Sequence, residues 1–180
     1  MDAEKCEFVA GNEMIDVIPA FSDPAKFLLI SAELGPFEAG VPTPVPVWVA
    51  VQMKRKHQCR IVTPVWLEVE ELKKILAAET ESQGLSPLPS FFFEITHMLV
   101  REAKDDIFEV EAAKSLVQDI YDRRDAKMRT SAIAFLSQNR TCHAQLDGVQ
   151  PIEVASARAT LSACKQMSIL LRNKHESTPL

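Results

Sequence analysis

The sequence predicts an α+β protein, mainly α, in which a small N-terminal β-rich domain precedes a larger helical domain with one long helix. Short apolar runs between Pro and Gly turns fill the first part of the chain, whereas apolar residues at three- and four-residue spacing dominate afterwards. The chain has 180 residues, 47% of them hydrophobic and 25% charged, which suits one folded domain or two small ones. We expect a β-rich domain at 1–62, a helical bundle at 63–172 and a disordered polar tail at 173–180.

The N-terminal domain is predicted to hold short strands and one helix. Strands are expected at residues 8–10, 14–18, 25–30 and 59–62. The helix runs from Val47 to about His57, because it begins after a proline and ends in cations, which suit a helix C-terminus. A domain of this size buries little surface and is marginal by itself.

A proline-rich segment at 34–48 leads into that helix. It holds four prolines and two glycines, yet its other residues are largely apolar and end in Trp48. Proline lacks a backbone donor, so Pro42 and Pro44 fit neither a helix interior nor a central strand. We predict an extended, at least half-buried connector with an architectural role.

Helical periodicity begins after Pro64. Helices are expected at residues 66–78, 91–103, 109–139 and 152–172. Ser90 is the predicted N-cap of the second of these. The third would be about 45 Å long at ~1.5 Å per residue, which exceeds the radius of gyration near 13 Å of a compact domain of about 110 residues. We therefore expect it to carry more apolar flank than its own domain covers.

Two features of the helical domain allow two interpretations each. Successive helical side chains diverge by about 100°, so Phe91, Phe92 and Phe93 either fill a crevice of the same chain or present a ring to another protein. Arg124 falls on the apolar stripe of the long helix, where an unpaired charge is costly. A structural ion pair or a contact with a partner would resolve that cost.

Lys54, Arg55, Lys56 and Arg60 form one dense basic patch. A solvated helix end, an acidic protein surface and DNA phosphate are the three interpretations that we consider. The net charge of −5 disfavours DNA.

Several function classes are disfavoured by the composition. The five glycines are isolated, so no glycine-rich loop could hold phosphates. Cys6, Cys59, Cys142 and Cys164 lack metal-ligand spacing and are expected to be reduced thiols, mostly buried. Adjacent Cys142 and His143 diverge too far for a catalytic dyad. We expect no cofactor, no metal, no catalytic residue, no membrane span and no secretory signal.

The order of several motifs resembles one protein family. The motifs are Leu34-Gly35-Pro36-Phe37, Gly40-x-Pro42, Val45-Pro46-Val47-Trp48-Val49-Ala50, Cys59-Arg60, Pro64-x-Trp66, Asp122-x-Arg124-x-Ala126-Lys127-x-Arg129, His143-Ala144-Gln145-Leu146-Asp147 and Ile152-Glu153-Val154. Together they are similar to the second subunit of the eukaryotic GINS complex, from about residue 6 to 172. The chain departs from the family pattern at Thr63, at the Phe triplet, where tyrosines are usual, and at Pro151.

The resemblance implies a non-catalytic, nuclear scaffold protein of DNA replication. GINS family members form a heterotetramer of four related subunits, which binds a ring helicase and a further accessory protein during initiation and elongation. The implied partners are therefore three related GINS subunits, the helicase and its accessory protein, with DNA contact at most indirect. The candidate interface residues are Trp48, Lys54, Arg55, Phe91, Phe92, Ile120, Tyr121, Arg124, Met128 and Phe135. Two alternatives stay open, namely a helical adaptor that forms a homodimer outside replication and a small enzyme with an unrecognised site.

Overall fold

A computed structural model of the chain describes residues 2–29, 33–137 and 148–158, with 132–137 as backbone only. A small N-terminal unit of strands and two helices is followed by a helical bundle that contains one long helix. The predicted fold class, α+β and mainly α, is confirmed.

The N-terminal unit is built around one three-stranded antiparallel sheet. Strand β1 (Met14–Pro19) lies between β4 (Thr43–Pro46) and β5 (Cys59–Ile61), while β2 (Phe27–Leu28) pairs with β3 (Glu33–Leu34) in a separate ribbon. Alternate β1 residues, Ile15, Val17 and Pro19, point into the core. Pro44 and Pro46 are tolerated because β4 pairs on one side only.

Two predicted strands of this unit are wrong or too long. Residues 8–10 belong to helix α1 (Ala3–Ala10), which buries Cys6 and Ala10, four residues apart, on one face. Phe8 and Val9 favour strands by propensity, but this helical spacing decides the local structure. In the stretch 25–30, only Phe27 and Leu28 pair as a strand.

Helix α2 (Val47–Arg55) follows β4 directly and buries most of its apolar residues. Its first turn is hydrogen-bonded to the segment that follows α1. The Val47 N–H donates to the Glu13 carbonyl at 2.9 Å, and the Trp48 N–H donates to the Gly11 carbonyl at 3.0 Å. The helix ends at Arg55, two residues earlier than predicted, and His57 turns the chain at a φ of 56°.

The bundle begins with a 3-10 turn, Val65–Leu67, and continues in α3 (Val69–Glu81), α4 (Phe92–Glu102), a second 3-10 turn, Lys104–Asp106, and α5 (Val110–Ser137). The predicted helix at 66–78 is thus divided, and its α-helical part extends to residue 81. The N-cap prediction at Ser90 is wrong, since Phe91 occupies that position at a φ of 53° and no side chain caps the helix. Residues 151–158 form the described start of α6, with Pro151 in its first turn, where a missing N–H costs nothing.

Helix α5 has 28 residues and is about 42 Å long at ~1.5 Å per residue. It packs mainly against α3. One apolar cluster runs from Ile15 and Met53 of the N-terminal unit to Leu99 and Ile120 of the bundle. The small unit therefore shares a core with the helices, which fits its predicted marginal stability alone, whereas the domain boundary at residue 62 stays a prediction.

Candidate partner-binding surface

Arg124 lies at the centre of a fully buried ionic cluster. Its Nε and Nη2 atoms donate to the two Glu153 carboxylate oxygens at 2.6 and 2.9 Å. Its Nη1 donates to Glu79 Oε2 at 3.1 Å and the Ser86 carbonyl at 2.9 Å, and Nη2 also donates to the Gly148 carbonyl at 2.6 Å. All five guanidinium N–H groups are used. The predicted structural ion pair is present, and it joins α5 to α3, to the loop before α4 and to the start of α6.

Lys127 adds the second cation to this cluster. Its Nζ lies 2.7 Å from Glu79 Oε1 and 2.8 Å from the Gly84 carbonyl, and it also contacts the Glu79 carbonyl. Burial would raise the pKa of Glu79, but hydrogen bonds from Lys127 and Ser86 and the charge of Arg124 outweigh it, so that pKa is lowered. Two cations, the fully buried Arg124 and the partly exposed Lys127, thus balance two buried carboxylates, which offsets the cost of their burial.

Glu94 is the exception to this balance. It is 2% exposed, and neither carboxyl oxygen has a hydrogen-bond partner among the residues that the structure describes. Burial, with a smaller contribution from the charge of Glu153, raises the pKa of Glu94, and the nearby N–H groups of Glu94 and Ile152 offset this only in part. The group is therefore a destabilising element beside the start of α6.

Two of the four cations of the basic patch, Lys54 and Arg55, pair with acids of the same chain. Lys54 Nζ lies 2.8 Å from Asp106 Oδ2, which also accepts the Ile61 N–H at 2.8 Å. Thr63 Oγ1 donates to the Asp106 carbonyl at 2.9 Å. Lys54 thus joins the sheet to the bundle, and a role at an interface stays a prediction for it.

Arg55 makes the second junction between the two units. Its Nε and Nη2 atoms donate to Glu102 at 2.8 and 2.5 Å, and Arg101 bridges Glu102 to Glu7 of α1. The hydrogen bond from Arg55, helped by Arg101, lowers the pKa of Glu102 to about 2. The Arg55 side chain is about half exposed. An outer contact therefore stays a prediction for Arg55.

Three other predicted interface residues are buried within the chain. Phe92, Ile120 and Arg124 are fully covered. Phe92 lies between Trp66 and Phe93, with ring centroids 5.1 Å away on each side. Within this chain a crevice covers the start of α4 and acids pair with the guanidinium, and a role of these three residues at an interface stays a prediction.

The remaining candidates on the bundle are half-buried. Phe91, Tyr121 and Met128 keep part of their surface accessible, and the Tyr121 ring meets the Phe93 ring edge-on at 5.4 Å. They stay predictions as interface residues. The side chain of Phe135 lies outside the described residues, as do Cys142, His143 and Cys164.

The expected uncovered flank of the long helix is absent from residues 110–131. No large apolar residue is exposed there, since Val110, Leu116, Val117 and Tyr121 pack against the core. These four apolar residues of α5 are only half-buried, and contact of their accessible surface with a partner stays a prediction.

Exposed apolar side chains lie mostly elsewhere, and sequence reasoning missed most of them. Phe8 is 80% exposed, Phe108 82% and Trp48 45%, and Leu28 and Val65 are also exposed. Trp48 is the one predicted residue of this group. Phe8 was missed because residues 8–10 were assigned to a strand, whereas recognition of helix α1 would have separated it from the buried Cys6–Ala10 face.

Phe8 and Trp48 border an open cleft of about 610 Å³ between α1 and α2. Leu29 and Met98 add apolar surface, and Glu4 and Glu7 stand on its α1 side. Among the described residues, no group of three or more His, Cys, Asp or Glu could hold a metal ion. No described helix is long and apolar enough to cross a membrane.

The protein thus consists of a small unit of strands and helices joined to a helical bundle. Its buried and half-buried ion pairs connect these elements to one another. Two family models match the same two parts: the PSF2 N-terminal domain at residues 2–62 and the GINS complex protein helical bundle domain at residues 66–169.

Curated relatives match over nearly the whole chain. A probable DNA replication complex GINS protein PSF2 from Caenorhabditis elegans is 69% identical over 100% of both chains. One from Brugia malayi is 41% identical over 98% of this chain and 93% of its own. The DNA replication complex GINS protein PSF2 of Homo sapiens is 37% identical over 90% of this chain and 87% of its own. The chain therefore belongs to the PSF2 family of GINS proteins.

Proposed function

We propose that this chain is a non-catalytic subunit of a nuclear, heterotetrameric GINS complex, in which it binds three related subunits. In this role it is a scaffold for a ring helicase and its accessory protein during initiation and elongation of DNA replication. The proposal rests on the match to two probable DNA replication complex GINS proteins PSF2, which covers 100% and 98% of this chain.

The described surface supports a binding role. Arg124, Lys127, Lys54 and Arg55 are engaged by acids of the same chain, so they are not arranged around a substrate. Exposed aromatic residues such as Phe8 and Phe108 remain, and such residues are enriched where proteins meet. The net charge of −5 favours protein contacts, with DNA contact at most indirect.

Co-expression with the three related subunits from the same source tests the proposal. We expect poor solubility of the chain alone and an equimolar four-chain particle together, measured by native mass spectrometry. A soluble monomer or homodimer that binds none of the three would overturn the assignment. A fluorescent fusion tests the location, and exclusion from the nucleus would count against it.

A further inference from the structure

We propose that the cleft between α1 and α2 binds an apolar segment of another protein chain that also carries Lys or Arg residues. This inference refines the proposed function by assigning one surface and the chemistry of its occupant. The cleft has a volume of about 610 Å³, which is in the usual range for sites that bind side chains or small ligands.

The walls of the cleft are preformed. The Trp48 N–H donates to the Gly11 carbonyl at 3.0 Å, so the first turn of α2 is fixed to the end of α1. A Cβ atom at Gly11 would lie 3.5 Å from the Trp48 Cβ, an ordinary contact distance, so the end of α1 and the start of α2 are in direct contact at this wall of the cleft. Binding of a partner segment therefore loses little conformational entropy in the site.

The cleft is lined by large apolar side chains that remain partly exposed. Phe8 is 80% exposed and Trp48 45%, whereas Met98 is buried at the cleft. Half-exposed Trp combines a large apolar face with an indole N–H donor, and Met adapts its shape to different side chains. Such a surface suits an apolar segment of a partner.

The charge on the α1 side determines the kind of segment. Glu4 and Glu7 line the cleft, and none of its lining residues is basic. Glu7 is paired with Arg101 at 2.7 Å, whereas Glu4 has no ion pair among the described residues. A Lys or Arg beside the apolar anchors would complement Glu4. A second copy of this chain would instead bring the same acids together across a two-fold contact.

The test uses two short labelled helical peptides, one of leucine and lysine and one of leucine and glutamate with the same apolar positions. Binding to the full-length chain, alone and co-purified with its related subunits, is measured by fluorescence anisotropy. We expect the leucine–lysine peptide to bind more tightly. Phe8→Ala should weaken it about tenfold, as for a truncated interface aromatic, and Glu4→Lys should weaken it as well.

Phe108→Ala is the matched control, because Phe108 is equally exposed but lies outside the cleft. It should leave the affinity unchanged, and an unchanged thermal midpoint shows that each variant folds. Equal binding of both peptides, no binding of either, or equal losses from Phe8→Ala and Phe108→Ala would each overturn the proposal. Self-association in sedimentation that Phe8→Ala abolishes would assign the cleft to a second copy instead.

The proposed function is tested separately in the same preparations. A chain that binds the leucine–lysine peptide at the cleft but assembles with none of the related subunits would contradict the proposed function alone. A chain that assembles with the related subunits but, measured by itself, binds neither peptide would contradict this inference alone.

Discussion

The Arg124 cluster and the Arg55–Glu102 junction use the same bidentate guanidinium–carboxylate chemistry in different surroundings. Arg124, Glu79 and Glu153 are fully buried, whereas the Arg55 side chain is half exposed. Water screens the outer pair, so its formation contributes little. In the buried cluster, loss of one member leaves its partners as uncompensated charges. The two sites therefore differ mainly in how far the free energy of unfolding should fall when the arginine is replaced.

Removal of the buried guanidinium should have the largest effect. Arg124→Met leaves Glu79 and Glu153 without their shared cation, and we expect a loss of about 3–5 kcal/mol in the free energy of unfolding. Urea unfolding measures it. Arg123→Met, at an exposed neighbouring position, should change stability by about 0.5 kcal/mol or less. Equal effects of the two variants would show that the cluster does not stabilise the fold.

An intermediate case is Lys54, whose partner Asp106 is nearly buried. Lys54→Met removes one charge-assisted bond, and we expect a loss of about 1.5–3 kcal/mol, the range for hydrogen bonds to charged groups. Lys56→Met serves as the control, because Lys56 is exposed on the same helix end. A loss no greater than that of the control would place Lys54 with the screened surface pairs.

Glu94 should give a change of opposite sign. Since its pKa in the folded chain is raised above the unfolded value, folding favours the protonated form. The contribution of Glu94 to the free energy of unfolding should therefore fall as the pH rises above about 4.3, the unfolded pKa of Glu. Glu94→Gln should remove this contribution to the slope and increase stability at pH 8 by about 1 kcal/mol, at the low end of the cost of an unpaired buried group. Unfolding curves at pH 5 and pH 8 check it, and a less stable Gln variant at pH 8 would contradict the assignment.

The smallest effect is expected at Arg55. Arg55→Met should lower the thermal midpoint less than Lys54→Met does, and the difference from wild type should shrink in 1 M NaCl because salt screens exposed pairs, with a Debye length of about 3 Å. The pKa of Glu102 is lowered, so the pair stabilises the fold above the unfolded pKa of about 4.3 and loses this contribution as the pH falls toward about 2. Scans at pH 3 and pH 7 in low and high salt measure it; an effect that persists in 1 M NaCl would contradict the comparison.

The fold class was predictable because its signals are local. The spacing along α5 and the change of period after Pro64 indicate helices directly, and the position of Arg124 on that stripe indicates either an ion pair or a contact with a partner. Its acids could not be chosen from sequence, because Glu79 lies 45 residues before it and Glu153 29 residues after it. Those distances are crossed by tertiary packing alone.

The surface was predicted less well than the fold. The splay of the Phe triplet and the length of the apolar stripe on the long helix favour Phe92 and Ile120 as interface residues, but burial depends on which neighbours cover each face. Arg55 pairs with Glu102 at the end of α4, and Lys54 pairs with Asp106 in the turn after it. Both acids are distant in sequence, so the sequence could not show that these two cations connect the two units.

The contact between Asp106 and Ile61 has a consequence for solubility. Val62 N–H bonds to β1 at 2.9 Å, so the alternate N–H of Ile61 points away from the sheet, and the Asp106 carboxylate accepts it. Open strand edges recruit strands from other molecules. A single carboxylate from the bundle occupies a donor that would otherwise be free for intermolecular pairing, so the junction between the two units also protects β5 against aggregation.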